Sequence, residues 1–194
     1  MIMQIEEKRI YTPEEYLEFE VNSQIRHEYI NGEIIPMTGG TPEHNRISGN
    51  LYVALRLGLK RQPYEVFHVD QRLWIPGANI YTYPDVMVLP QPLELQTGRK
   101  DTVMNPCLIA EVLSKSTQNF DRSEKFVAYR TIPSFREYLL IDQARIYVEH
   151  YVQMAAHQWL ISEYEDLTVT LTLRAIEMQI QIADLYESID FANA

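Results

Sequence analysis

Asp85 and Glu111 are the residues whose type and setting most suggest chemistry. Each is a carboxylate inside a run otherwise built for burial: Asp85 follows Pro84 in YTYPDVMVL, and Glu111 lies in the middle of CLIAEVLS. A carboxylate taken into a sheet without a partner is costly, so each requires a cation or a proton. Two such groups on neighbouring strands point to a divalent metal site. The ligands would be oxygens and no Cys or His cluster accompanies them, which favours Mg²⁺ or Mn²⁺ over Zn²⁺. The competing accounts are a buried salt bridge for Glu111 and a strand end or turn for Asp85.

Strand periodicity sharpens the case for Glu111. Residues two apart share a face, so Ile109, Glu111 and Leu113 point one way and Leu108, Ala110 and Val112 the other. Both faces are apolar except for Glu111, the pattern of a central strand covered by helices. Tyr83 and Met87 flank Asp85 in the same sense, more weakly.

Three further groups deserve a place among the candidates. In SKSTQNFDRSEKFVAYR, Asp121 and Lys125 are four apart on an expected helix. They form either a surface i,i+4 ion pair or a means for Lys125 to reach the Glu111 strand and steady a water or a developing charge. Glu28 offers a third carboxylate or an exposed charge beside Arg26. His44 and Asn45 open the best-defined helix, whose N-terminal amides favour anions, so they suit a substrate phosphate or simple surface placement.

The elements that must position these groups read as follows. Thr12 as N-cap, Pro13 and the capping-box Glu15 open a helix that sends Tyr16, Leu17 and Phe19 to the core. Asn31-Gly32 between apolar runs predicts a β-hairpin. Thr41-Pro42 opens a second helix with Ile47, Leu51, Ala54, Leu55 and Leu59 at spacings of three or four. Strand-like runs follow at Val66 to Ile75, Tyr81 to Leu89 and Cys107 to Ser114. A helix over about Asp121 to Arg130 precedes the strand REYLLID. The C-terminal segments RIYVEHYVQ, HQWLISEY, LTVTLTL and MQIQIAD predict an antiparallel meander or hairpin extension of the sheet. The expected fold class is α/β, a central mixed sheet flanked by helices with added C-terminal antiparallel strands, over one domain, 1–194.

Composition bounds the function. With 194 residues and 46% hydrophobic content the chain can bury a substantial core. No apolar run approaches a bilayer span, and the start MIMQIEEKRI lacks a signal core, so a cytoplasmic protein without membrane contact is expected. The lone Cys107 reads as a small core residue. A net charge of −10 argues against a broad cationic surface, so any contact with nucleic acid must be local.

The sequence Pro84-Asp85, then Glu111-Val112-Leu113-Ser114, Ser116-Thr117, Asp121, Lys125, Tyr129 and EYLLID, resembles the Uma-type "putative restriction endonuclease" family, a branch of the PD-(D/E)XK nuclease superfamily. The likeness runs from TPEEY through ADLY and includes the HEYINGEI hairpin and the His44 helix. It implies a restriction endonuclease-like core in which Asp85, Glu111 and the Val112 carbonyl hold Mg²⁺ or Mn²⁺, with Glu28 holding a second ion or orienting the first. The lysine expected two residues after the glutamate is replaced by Leu113. Lys125 is then the lysine moved to the adjacent helix, while Lys115 lies beyond the strand end. The implied activity is metal-dependent cleavage of phosphodiesters, most naturally in DNA. Separately, exposed strand edges tend to find partners, so a homodimer paired through the strand-rich C-terminal third or a sheet edge is expected. Two other readings stay open: a catalytically inactive nuclease fold used for dimerisation or binding, and a small-molecule phosphohydrolase.

Overall fold

The structure is a computed structural model that describes residues 9–115 and 117–191. Helix α1 (Pro13–Val21) is capped as its sequence dictates: the Glu15 amide donates to the Thr12 hydroxyl, and the Thr12 amide donates to the Glu15 carboxylate. Tyr16 is buried, but Phe19 is 45% exposed and Glu20 takes the inward position instead. Strands β1 (His27–Ile30) and β2 (Glu33–Pro36) form the expected hairpin. Its turn residues Asn31 and Gly32 both have positive φ, 49° and 97°, as a two-residue turn of this kind requires. Helix α2 (Pro42–Gly58) starts at Thr41, whose side chain accepts from the His44 amide, and buries Ile47, Leu51 and Leu55.

Two of the expected strands are each two. The run Val66 to Ile75 divides into β3 (Tyr64–His68) and β4 (Arg72–Ile75). Between them Val69 takes φ 50°, an unfavourable conformation for a β-branched residue and one its sequence does not announce. The run Tyr81 to Leu89 divides into β5 (Ile80–Thr82) and β6 (Val86–Pro90), broken at Tyr83-Pro84-Asp85, where proline has no N–H to give a ladder. After the short β7 (Thr102–Val103) comes β8 (Leu108–Leu113), all six residues of which are buried.

Gln118–Phe120, Asp121–Lys125 and Phe126–Tyr129 run on as one helix, α3, whose middle segment is a π-turn. Strands β9 (Glu137–Asp142), β10 (Val148–Ala155) and β11 (Gln158–Tyr164) follow, then β12 (Thr170–Leu173), β13 (Met178–Gln181) and the short α4 (Ile182–Leu185). The C-terminal expectation is met in part. β10 and β11 extend the main sheet, β12 and β13 pair only with each other, and the end of MQIQIAD is helical.

The fold is mixed α/β. A six-stranded mixed sheet has the order β11-β10-β9-β8-β6-β3, with β8 and β9 parallel and the remaining pairs antiparallel. A five-stranded sheet has the order β2-β1-β5-β4-β7. The divided runs therefore send one half to each sheet. One face of the main sheet, through Val88, Leu108 and Ala110, packs on α2, the β12–β13 hairpin and α4. The other, through Ile109, Leu113 and Leu140, packs on α3 and on Leu73 and Ile75 of the second sheet. Glu111 belongs to this second face by register. Among the described residues no helix is long and apolar enough to cross a membrane.

Candidate active site

Glu111 sits in the middle of β8, 3% exposed, and points at α3. Asp85 occupies the bend before β6, beside β8 because Val86 pairs with Ala110. The turn reading of Asp85 is thus correct for its backbone, yet the bend aims its side chain at Glu111. The Asp85 amide donates to Glu111 Oε2 at 3.2 Å, and the Val112 amide donates to Asp85 Oδ2 at 2.8 Å. Val112 lines the same cleft.

Lys125 completes the group. Its Nζ lies 3.2 Å from Glu111 Oε1, 3.2 Å from Asp121 Oδ1 and 3.6 Å from Glu28 Oε1. The Asp121–Lys125 pair is therefore not a surface i,i+4 pair: Asp121 is 2% exposed and Lys125 9%. The contact to Asp121 Oδ1 is close but poorly aligned, so that buried oxygen has no hydrogen bond of its own. Glu28 is likewise no free charge beside Arg26, which pairs with Asp70. Glu28 instead accepts from the Thr82 hydroxyl and faces the cleft.

His44 reaches the site from the first turn of α2. Its Nε2 is 3.1 Å from Asp85 Oδ2, and its buried Nδ1 has no hydrogen-bond partner among the described residues. Asn45 is exposed and does not line the cleft, so only His44 of that pair joins the site. Tyr129 is fully buried on α3. Its hydroxyl donates to Glu111 Oε1 at 2.6 Å, a role for Tyr129 that the sequence did not assign. Leu113 is buried in the apolar face and offers no polar group. Ser116 of the resembling motif lies outside the described residues.

The electrostatics follow from burial and charge count. Burial pushes the Glu111 carboxyl up, to about 8, against Lys125 and with help from Asp85 and Asp121. Burial disfavours the Lys125 ammonium too, but Glu111 and Glu28 more than offset it, and Lys125 stays charged. For His44 burial opposes protonation, and the hydrogen bond and charge of Asp85 outweigh it, raising the imidazole above its ordinary range.

These groups line a cleft of about 330 Å³, which the Met37 to Thr41 segment also borders. A second cavity of about 540 Å³ adjoins it and shares Thr41, Ser114 and Gln143. Among the described residues no three His, Cys, Asp or Glu side chains converge as a ready-made metal cage. The donor chemistry nonetheless fits a hard divalent cation. Asp85 and Glu111 are adjacent carboxylates sharing one cleft, and the partly satisfied Asp121 adds a third anionic oxygen set.

A model of the Uma2 family, described as "Putative restriction endonuclease", matches residues 13–184. An uncharacterised protein of Synechocystis sp., sll1609, is 44% identical over 162 residues, 84% of this chain and 92% of that protein. Another from the same organism, slr1290, is 33% identical over 182 residues, 93% of each. The crystal structure of a "putative nuclease belonging to DUF820" from Anabaena variabilis matches with a TM-score of 0.72 at 17% identity, covering 90% of this chain and 97% of that one. At that identity the likeness is one of fold.

Proposed function

The chain belongs to the Uma2 family of "putative restriction endonucleases", and from that premise we propose that it is a metal-dependent endonuclease hydrolysing phosphodiester bonds in DNA. The observation that carries this reading is the meeting of Lys125, from α3, with Glu111 and its bonded neighbour Asp85. Leu113 removes the lysine from its usual strand position, and Lys125 supplies the charge from the helix instead.

Asp85 and Glu111 would hold Mg²⁺ or Mn²⁺ with the Val112 carbonyl, and Glu28 would support them from β1. Such an ion lowers the pKa of a bound water and offsets charge on the scissile phosphate. Tyr129 fixes Glu111 by its hydroxyl. Lys125 orients the attacking water and takes up negative charge that develops at phosphorus. His44, held by Asp85, faces the incoming phosphate.

A polymeric substrate is supported by the second cavity beside the cleft, which shares Thr41, Ser114 and Gln143 with it and offers room beyond one small-molecule pocket. Within the cleft Lys125 and His44 stand among Glu28, Asp85, Glu111 and Asp121, so a bound divalent ion would be needed to offset these acids before a phosphate could approach. We place the enzyme in the cytoplasm as one domain, and its edge strand β11 is the surface for a homodimer. The test is cleavage of single-stranded and duplex DNA with Mg²⁺ or Mn²⁺ by wild type, Asp85→Ala, Glu111→Ala and Lys125→Ala. Metal-dependent cleavage lost in each variant supports the reading. A wild type that binds metal but cleaves neither DNA, or cleavage that survives loss of both carboxylates, overturns it.

A further inference from the structure

The π-turn in α3 carries Lys125 at its end, and a buried hydroxyl bonds the carbonyl of its first residue. In a regular α-helix each carbonyl accepts from the amide four residues on, and the ladder runs along the axis. A π-turn widens the ladder to five residues and is usually found where function demands it. Here it spans Asp121–Lys125, the two residues that converge on the cleft.

At its start, the Asp121 carbonyl accepts a hydrogen bond from the Tyr138 hydroxyl at 3.1 Å. Tyr138 comes from β9, whose register places it beside Ile109, two residues before Glu111 and on the same face of the sheet. Its ring is fully buried. Phe126 lies parallel to it at 5.7 Å, and Tyr129 meets it edge-on at 5.5 Å. The ring is thus fixed by the residue after Lys125 and by the tyrosine that binds Glu111.

We infer that Tyr138 is a positioning residue that, by bonding the Asp121 carbonyl, holds the π-turn open and so sets the Lys125 ammonium against Glu111. Its meaning for catalysis rests on the nuclease reading above, whereas its geometric content does not. A buried hydroxyl donating to a main-chain carbonyl gains little net stability, so its removal alone should leave the fold intact. What it does change is the choice between a widened and a regular turn, and a regular turn rotates Lys125 away from the strand.

The test reads the ammonium directly. The full chain, labelled with ¹⁵N-lysine, is examined by NMR for a slowly exchanging side-chain NH₃⁺ signal, assigned to Lys125 by its absence in Lys125→Met. Tyr138→Phe is expected to lose or shift that signal while circular dichroism stays native. Tyr138→Met, a second hydroxyl-free replacement, should do the same. Tyr151→Phe, which removes a hydroxyl from a ring 6.0 Å from Tyr138 but bonded to Glu149, should leave the signal in place.

A Lys125 signal unmoved in folded Tyr138→Phe or Tyr138→Met overturns the inference, as does a wild type with no protected ammonium. If the signal moves but wild type cleaves no DNA, the positioning role stands and the nuclease reading falls. Where cleavage is measurable, Tyr138→Phe lowers kcat about tenfold with KM unchanged, and Tyr151→Phe leaves both unchanged.

Discussion

Asp85 and Glu111 are tied to each other through the main chain: the Asp85 amide donates to Glu111 Oε2, and the amide of the next residue after Glu111 donates back to Asp85 Oδ2. Neither carboxylate can move without disturbing the other. Asp85→Asn keeps an oxygen for the Val112 amide and removes only the charge. It is expected to weaken Mn²⁺ binding, measured by calorimetry, by about 100-fold or more and to abolish cleavage while the melting temperature barely changes. Asp85→Ala also strands the Val112 amide and should lose about 1–3 kcal/mol of stability in urea titration. Wild-type Mn²⁺ affinity in Asp85→Asn would remove Asp85 from the site.

The features legible in the sequence were those encoded locally. The caps at Thr12 and Thr41, the Asn31-Gly32 turn and the uninterrupted apolar frame of Glu111 each follow from a few adjacent residues. The division of strands between two sheets was not legible, because Val69 turns the chain without a glycine or asparagine to mark it. Pro84 does carry a signal: the strand-end or turn account of Asp85 matches its bend, whereas the unbroken run Tyr81 to Leu89 does not. The π-turn and the His44–Asp85 contact depend on partners far along the chain, so no local pattern announces them.

Among the described residues Lys125 is the one ammonium beside Glu28, Glu111 and Asp121, so deleting it should cost more than an ordinary surface charge. Lys125→Met leaves these acids buried without their cation and is expected to destabilise the fold by about 3–5 kcal/mol, read by denaturant unfolding. Adding Glu111→Gln should recover part of that loss, since the neutral amide no longer needs a counter-charge. Simple additivity of the two substitutions would mean that the pair is not coupled.

Strand β11 has β10 on one side only, and Leu160 and Ile161 on it are 44% and 54% exposed. Such an edge is a template for a second strand, and a two-fold pairing centred on Ile161 would set each copy's edge against itself. Light scattering should give a dimer for wild type and a monomer for Ile161→Lys, which places like charges at the centre of the pairing. A wild-type monomer at micromolar concentration rules out this surface.

Glu111 also fixes how stability should respond to pH. Its carboxyl titrates near 4.5 when unfolded and, because of burial, near 8 in the fold. Between those values the native state holds more protons than the unfolded one, so stability falls as pH rises through that window. His44, raised by Asp85, works in the same direction around and above its ordinary value, so the comparison belongs in a His44→Gln background. There, unfolding free energy should decline from pH 5 to pH 8.5, and Glu111→Gln should flatten the decline. Mn²⁺ reverses the sense, because the ion competes with the proton for Glu111: its stabilising effect should be small at pH 5 and grow towards pH 8.5. A profile that rises with pH in the absence of metal, or a Glu111→Gln variant with the parent's slope, would mean that the Glu111 carboxyl is ionised throughout that range.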